Sequence, residues 1–427
     1  MRHTKLTTMS ESLKKILIWS GAFVGAVFLL WLVWAMFFTK STTNPIKAVV
    51  GGLFGNNTAS FSVGGGGGGV GSATDTVQGG AYAGQAVPNT KIFKIADGPV
   101  VAATFVQSTN PTTTLARYVS ANDGHVFDMP LDVPGAIARI VSNTTVPGLV
   151  TTLWLDQGGA LVGQYLEDAT VKSVYVRFPV ASSTLPTGQT PPRIHFLPNN
   201  VTSLAVSPDG KSIAYLVHEG TGSSGYITPT DTFNSKKFFS LPLSELILSW
   251  PTQSNLLLQT KSAAGLPGVV FSVSTKSGGI SLLVSALGIS ASANTNFSKV
   301  IYQKNTGGAA PSSFVHDTAT GRDAPLPFNP FPERCVWSPL STTIAACAAP
   351  LANVVNNYLD LWHMGLAHSQ DGIFSFDVAY GVTSLLALPG SKQGGVRTDV
   401  AQIALSRDGN YLLYIARGDR SLWGVRL

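Results

Sequence analysis

The sequence predicts an all-β fold: a single N-terminal transmembrane helix followed by a seven-bladed β-propeller closed by an N-terminal strand. Three observations carry this. One uncharged apolar stretch lies near the N-terminus, a Gly-rich segment follows it, and a strand–turn–strand layout recurs down the rest of the 427 residues.

Residues 1–15 form a short tail with Arg2, Lys5, Lys14 and Lys15. Residues 16–38 then run without a charge from Ile16 to Phe38, and at the helical rise they reach about 34 Å, enough to cross a bilayer core. A secretory signal has a shorter apolar core and a small-residue cleavage site, whereas this stretch ends Met36-Phe37-Phe38. An uncleaved anchor in the lipid bilayer is expected. Trp19, Trp31 and Trp34 lie towards its ends, where aromatic belts form. Four basic residues precede the span and two, Lys40 and Lys47, follow it. The positive-inside rule therefore puts the N-terminus in the cytoplasm and the body of the chain outside the plasma membrane.

The net charge of +6 belongs to this end. Residues 1–47 hold six basic side chains against Glu11, which leaves 22 basic and 21 acidic residues for the remainder. A nucleic-acid-binding head needs a basic stripe, and with none in the sequence no nucleic acid partner is expected.

Residues 39–88 contain thirteen glycines, six of them in the run Gly64 to Gly69, with many Ser, Thr and Asn. Such a composition builds no core and reads as a flexible linker. The glycine run is not a phosphate loop, because no strand leads into it and no GK[ST] follows.

From residue 89 to 427 the chain consists of short runs of Val, Ile, Leu, Tyr and Phe punctuated by Gly, Pro, Asn, Asp and Ser, which indicates strands. Ser207-Pro208-Asp209-Gly210 separates Leu204–Val206 from Ile213–Val217, and Ser406-Arg407-Asp408-Gly409 leads in the same way to Tyr411. Ser338-Pro339 leads likewise to Ile344, and weaker copies start at Leu155, Trp250 and Thr295, so the six copies are 52, 43, 45, 43 and 68 residues apart. Asp-Gly supplies the positive backbone angles of a tight hairpin. Two further apolar runs follow most turns, and four strands per repeat of this length is the pattern of a propeller blade.

The segment Ser-Pro-Asp-Gly-Lys-Ser-Ile-Ala-Tyr at 207–215 resembles the WD40-like (PD40-type) repeats of TolB-like propellers, and 406–414 is similar with Arg407 replacing the proline. The resemblance implies a propeller over most of 145–427. The whole layout also looks like uncharacterised membrane-anchored bacterial proteins. The first blade is expected over Gly98–Ser142. The last has three strands, within Ala401–Leu405, Tyr411–Ala416 and Ser421–Arg426, and Lys91–Ile95 has no other partner. It is expected to supply the missing strand and close the ring.

Cys335 and Cys347 are the two cysteines of the chain and are equidistant from Ser341. This places them opposite each other on the first two strands of the sixth blade, where a non-hydrogen-bonded pair permits a disulfide. Two buried thiols in neighbouring strands are the other reading.

Chemistry is harder to find. No G-x-S-x-G elbow occurs, and Gly220–Gly225 satisfies G-x-G-x-x-G but leads to Tyr226, Ile227 and Pro229 instead of a helix, so it reads as a hairpin loop. His363 and His368 are five apart, which suits neither a helical nor a strand ligand pair. No metal, cofactor or catalytic residue is expected, and the acids Glu167, Asp168, Asp317, Asp323, Asp360, Asp371 and Asp377 are dispersed. The most suggestive region is the sixth-blade insertion between Ala349 and Gly372, with Tyr358, Trp362, His363, Met364 and His368 as candidate binding residues. Leu359, Leu361 and Trp362 also fit a plain blade strand with Trp362 in the core. The function expected is a membrane-anchored, extracytoplasmic, non-enzymatic module that binds or scaffolds protein partners of the cell envelope. The alternative is an envelope glycan hydrolase or lyase that uses carboxylates in the propeller channel.

Overall fold

Among the described residues, seven four-stranded antiparallel sheets follow one another along the chain. The computed structural model describes residues 90–427 apart from 110–111, 143–144, 179–191, 307–309 and 391–397. The expected tail (1–15), membrane span (16–38) and linker (39–88) lie outside the described residues. Among the described residues no helix is long and apolar enough to cross a membrane.

Strand β1 (Ile92–Ala96) comes first and belongs to the last blade. Blade 1 is β2 (Val100–Thr109), β3 (Thr112–Ser120), β4 (Val126–Pro130) and β5 (Arg139–Ser142). Blade 2 is β6 (Leu149–Leu155), β7 (Ala160–Glu167), β8 (Thr170–Arg177) and β9 (Arg193–Phe196). Blade 3 is β10 (Val201–Val206), β11 (Ser212–Glu219), β12 (Gly222–Pro229) and β13 (Lys236–Leu241). Blade 4 is β14 (Leu246–Ser249), β15 (Asn255–Thr260), β16 (Pro267–Ser274) and β17 (Ile280–Leu287). Blade 5 is β18 (Ser290–Ala293), β19 (Lys299–Lys304), β20 (Ser312–Asp317) and β21 (Asp323–Pro325). Blade 6 is β22 (Cys335–Trp337), β23 (Ile344–Pro350), β24 (Asp371–Asp377) and β25 (Val382–Ala387). Blade 7 is β26 (Val400–Leu405), β27 (Tyr411–Ala416) and β28 (Leu422–Arg426), completed by β1.

The chain is a seven-bladed β-propeller. Its closure is the expected one: β1 pairs antiparallel with β28, Ile92 opposite Val425 and Phe93 opposite Gly424. The Phe93 ring covers Gly424, where a Cβ would come within 2.4 Å of it. Closure joins both ends of the described chain in one sheet and removes a pair of open sheet faces.

The core lies between blades. One apolar cluster occupies each junction; between blades 3 and 4, for example, Ala214, Leu216 and Phe239 meet Leu248, Trp250 and Leu256. The second strand of a blade is buried on both sides. In β11, Ile213 and Tyr215 face blade 2, and Ala214 and Leu216 face blade 4. Burial on both faces explains why these strands read as unbroken apolar runs instead of alternating ones.

The repeated turns share one hydrogen-bond pattern. Ser207 Oγ donates to Asp209 Oδ1 (2.6 Å) and accepts from Ser212 N–H (2.9 Å). Ser406 does the same with Asp408 (2.6 Å) and Tyr411 (2.9 Å). Gly210 and Gly409 take the positive φ the turn requires, 69° and 73°. In blade 5 Asn294 replaces the serine, its Oδ1 accepting from Lys299 N–H (3.0 Å), and Phe297 holds the positive φ (61°). The cysteines form the expected disulfide. Cys335 is opposite Cys347 with a Cα–Cα distance of 4.1 Å, and because Ser338 N–H donates to the Ile344 carbonyl, alternation makes 335/347 a narrow, non-hydrogen-bonded pair.

Candidate functional site

The sixth-blade insertion, residues 351–370, connects β23 to β24 and contains a helix, α1 (Tyr358–His363). The strand reading for Leu359–Trp362 therefore gives way to a helix. Asn357, Tyr358 and Asp360 are separated from the blade by Pro350 and the turn residues after it, so this segment starts its own helical turn outside the sheet.

Its inner side is apolar. Tyr358, Leu359 and Trp362 are buried with Phe331, and Tyr358 stacks on Phe331 with centroids 5.2 Å apart. Beneath them lies a charge cluster. Arg334, fully buried, donates through Nη1 to Asp371 Oδ2 (2.8 Å) and Asp399 Oδ1 (3.3 Å). Asp371 Oδ2 also accepts from Val400 N–H (2.8 Å), and its Oδ1 accepts from Ser369 Oγ (2.7 Å). Trp362 Nε1 donates to both oxygens of Asp399 (2.8 and 2.9 Å). His368 Nδ1 lies 3.5 Å from Asp399 Oδ2.

Arginine suits this position because its guanidinium is planar and weakly hydrated. Nε and Nη2 of Arg334 have no hydrogen-bond partner among the described residues. The guanidinium instead lies 4.5 Å from the ring centroids of both Phe331 and Trp362, where cation–π attraction partly replaces the lost hydration. Arg417 adds a second guanidinium 3.9 Å from the Trp362 ring and donates to the Trp362 carbonyl. Burial pushes the Asp371 carboxyl above the usual carboxylate range, opposed by the Arg334 charge. Burial lowers the Arg417 pKa, and Asp399 opposes that shift.

The insertion also reaches the other way. Ala264 N–H, in the β15–β16 loop of blade 4, donates to both oxygens of Asp360 (3.1 and 2.9 Å), and Asn305 Nδ2 of blade 5 donates to the Ala264 carbonyl (2.7 Å). Four consecutive blades, 4 to 7, are thus tied together on one face by α1 and its neighbours.

The candidate binding residues divide. Tyr358 and Trp362 turn inward and hold the insertion down, whereas His363, Met364 and His368 turn outward. Met364 is 62 % exposed and Leu366 72 % exposed. His363 Nε2 lies 3.2 Å from Glu333 Oε2. A cavity of about 980 Å³ opens beside His368 towards blade 7, with Lys94, Leu385, Leu386 and Trp423 in its walls.

Sequence reasoning did not find Arg334, Asp399 or Arg417. The available signal is weak: Arg334 and Asp399 each stand directly before an apolar inner strand, a place where turn residues are also common. Most of the dispersed acids remain apart. Asp317 pairs with Lys299, Asp323 Oδ1 lies 2.8 Å from His316 Nδ1, and Asp377 accepts from Ala379 N–H (2.9 Å). Glu167 and Asp168 end β7 at a turn, with Asp168 at φ 47°. Asp371 does meet another acid, Asp399, across Arg334. Among the described residues no three His, Cys, Asp or Glu side chains come together as metal ligands.

Solved structures similar to this chain include an oligogalacturonate lyase in complex with manganese, at 11 % identity and TM-score 0.51, with 77 % of this chain and 97 % of that chain covered. TolB from Acinetobacter baumannii is similar at 13 % identity and TM-score 0.40, covering 76 % and 79 %. The β-propeller domain of the trilobed protease from Pyrococcus furiosus is similar at 13 % identity and TM-score 0.40, covering 60 % and 75 %. The likeness is one of fold. No protein-family model matches the sequence, and no curated protein matches it.

Proposed function

We propose that this chain is a membrane-tethered propeller that binds a protein partner of the cell envelope outside the plasma membrane, using the insertion on blade 6. The observation that carries the reading is the division within that insertion. A buried network of Arg334, Asp371, Asp399 and Trp362 fixes it from below, and Met364 and Leu366 are held exposed above. Exposed apolar side chains on a fixed support are what a partner's contact surface requires. The uncharged stretch 16–38 and the four basic residues before it support the tether and its orientation.

The test is a crosslinking pull-down from native membranes. Met364→Glu with Leu366→Glu should abolish recovery of the partner and leave thermal unfolding unchanged. Full recovery by this variant would refute the reading.

A glycan hydrolase or lyase is the second reading, and the Asp371–Asp399 pair is what favours it. Both carboxylates accept hydrogen bonds from Arg334, and α1 covers them. A free general base or nucleophile is therefore not available without moving the insertion. Cleavage of acidic glycans by the wild type, lost in Asp399→Asn, would favour that reading over binding.

A further inference from the structure

Among the described residues, each blade ends in an outermost strand whose far edge has no neighbouring strand in its sheet. Charges on such strands guard against pairing with another chain. Arg139 stands on β5, Arg193 on β9, Lys236 and Lys237 on β13, Asp323 on β21 and Lys94 on β1. β25 is uncharged but has six residues, and it lines the cavity beside blade 7. β17 has eight residues, Ile-Ser-Leu-Leu-Val-Ser-Ala-Leu, with no charge and no proline. The chain carries no charged residue from Ser277 to Ser298. Leu282 is 58 % exposed and Leu287 42 % exposed.

The backbone of β17 shows which groups face outward. Gly288 N–H donates to the Leu266 carbonyl (3.0 Å), and Ser274 N–H donates to the Gly279 carbonyl (2.9 Å). Alternation from those two points turns the backbone groups of Ser285 and Leu287, and of Ile280 and Leu282, away from β16. The phase changes between Leu282 and Val284, where the register shifts and one extra residue is accommodated.

These four outward positions are symmetric about the middle of the strand. In a two-fold antiparallel pairing of two copies, Ile280 meets Leu287, Leu282 meets Ser285, and the two irregularities lie opposite each other. Like-with-like pairing also brings every charge close to its own copy, so a charge-free edge is the one that tolerates it. We infer that β17 is a homodimerisation edge, joining the blade-4 sheets of two copies into one continuous sheet. Up to about eight interchain backbone hydrogen bonds would form, two for each outward-facing pair.

The experiment is light scattering on the full chain in detergent over a concentration series. Wild type should show the protein mass of two chains. Ser285→Pro removes an N–H that points away from β16, a position where proline is tolerated on an edge, and by symmetry it deletes two interchain bonds. Leu282→Lys places like charges near the two-fold axis. Each variant should weaken the dimer by about tenfold or more with an unchanged unfolding temperature. A monomeric wild type at every concentration, or a dimer that persists in both variants, would overturn the inference. Ser285→Pro could unsettle blade 4 itself, so Leu282→Lys is the deciding variant if the unfolding temperature of the proline variant falls.

Discussion

Replacing Asp371 with asparagine tests the charge cluster at its centre. In the wild type one carboxylate oxygen accepts from Arg334 Nη1 and Val400 N–H, both at 2.8 Å, and the other accepts from Ser369 Oγ at 2.7 Å. Asparagine has one acceptor oxygen, so its amide nitrogen must face at least one of these donors. It also leaves Arg334, at zero exposure, with Asp399 at 3.3 Å as its remaining counter-charge. Removing one partner of a buried ion pair costs about 3–5 kcal/mol. Urea unfolding of the full chain in detergent, followed by tryptophan fluorescence, should show that loss at pH 7. Adding Arg334→Met removes the stranded charge, so the double variant should be more stable than the sum of the two single losses by at least about 1 kcal/mol. Because burial raises the Asp371 pKa in the folded state, the native protein takes up this proton more readily than the unfolded chain. That contribution is fully present below the unfolded value, near 4, and is lost as pH rises through the folded value. Asparagine does not titrate, so only the wild type gains this contribution, and the gap between wild type and Asp371→Asn should widen as pH falls through the folded value of Asp371. A single-variant loss below about 1 kcal/mol, or strictly additive losses, would refute the view that Arg334 depends on Asp371.

Trp362→Ser should cost about 3–5 kcal/mol, since it removes a buried ring and leaves Asp399 without two hydrogen bonds; Met364→Ser should stay within about 0.5 kcal/mol in the same unfolding assay. Changing Cys335 and Cys347 together to serine should lower stability by about 3 kcal/mol, the chain-entropy value for so short a loop, and thiol titration of the unreduced wild type should find no free thiol. The Glu219 carboxyl is held down to about 2 by hydrogen bonds from Ser224, Tyr226 and Lys237. Its contribution is therefore present above the unfolded value, near 4.3, and is lost as pH falls through about 2; Glu219→Gln should flatten that part of the acid limb, and an unchanged pH profile would show that these hydrogen bonds do not favour the ionised form. Gly424→Ala should destabilise ring closure by driving a methyl group into the Phe93 ring, read as earlier unfolding of the variant.

The strands were legible because blade cores have a local signature. Second strands such as Ile213–Leu216 and Leu256–Leu258 are buried from both sides and stand out as unbroken apolar runs. The Ser-x-Asp-Gly turns carry their own hydrogen-bond logic in four residues. The disulfide followed from the same turn, once Cys335 and Cys347 were counted outward from Ser341. Where the signal stops being local, the reading fails. Tyr358–Trp362 has the composition of a strand or of a surface loop, and it forms a helix because its partners are Phe331, Arg334 and Asp399, none of them close in sequence. The Arg334–Asp399 separation of 65 residues spans a whole blade, and periodicity carries no information on that scale.

The same geometry explains why the insertion rests on charges when the rest of the ring rests on apolar contacts. Blade junctions bury strands against strands. The insertion instead meets the ends of strands, where Asp371 opens β24 and Asp399 precedes β26. Strand ends carry unpaired backbone groups that must be satisfied, and here Asp371 takes up Val400 N–H while Arg417 donates to the Trp362 carbonyl. An apolar plug would leave those groups unpaired. Arginine and aspartate satisfy them and fix the insertion in one orientation, because each bond has a single geometry. Arg420, three residues from Arg417, donates to the carbonyls of Val100 (3.2 Å) and Val101 (3.0 Å) at the start of blade 1. The loop that holds the insertion is therefore the loop that secures the closing junction between blades 7 and 1. Loosening the insertion should loosen the ring at its seam before it disturbs blades 2 and 3. Hydrogen exchange on Trp362→Ser would show this as lost protection concentrated in β1, β2 and β26–β28, and uniform loss across all blades would refute the coupling.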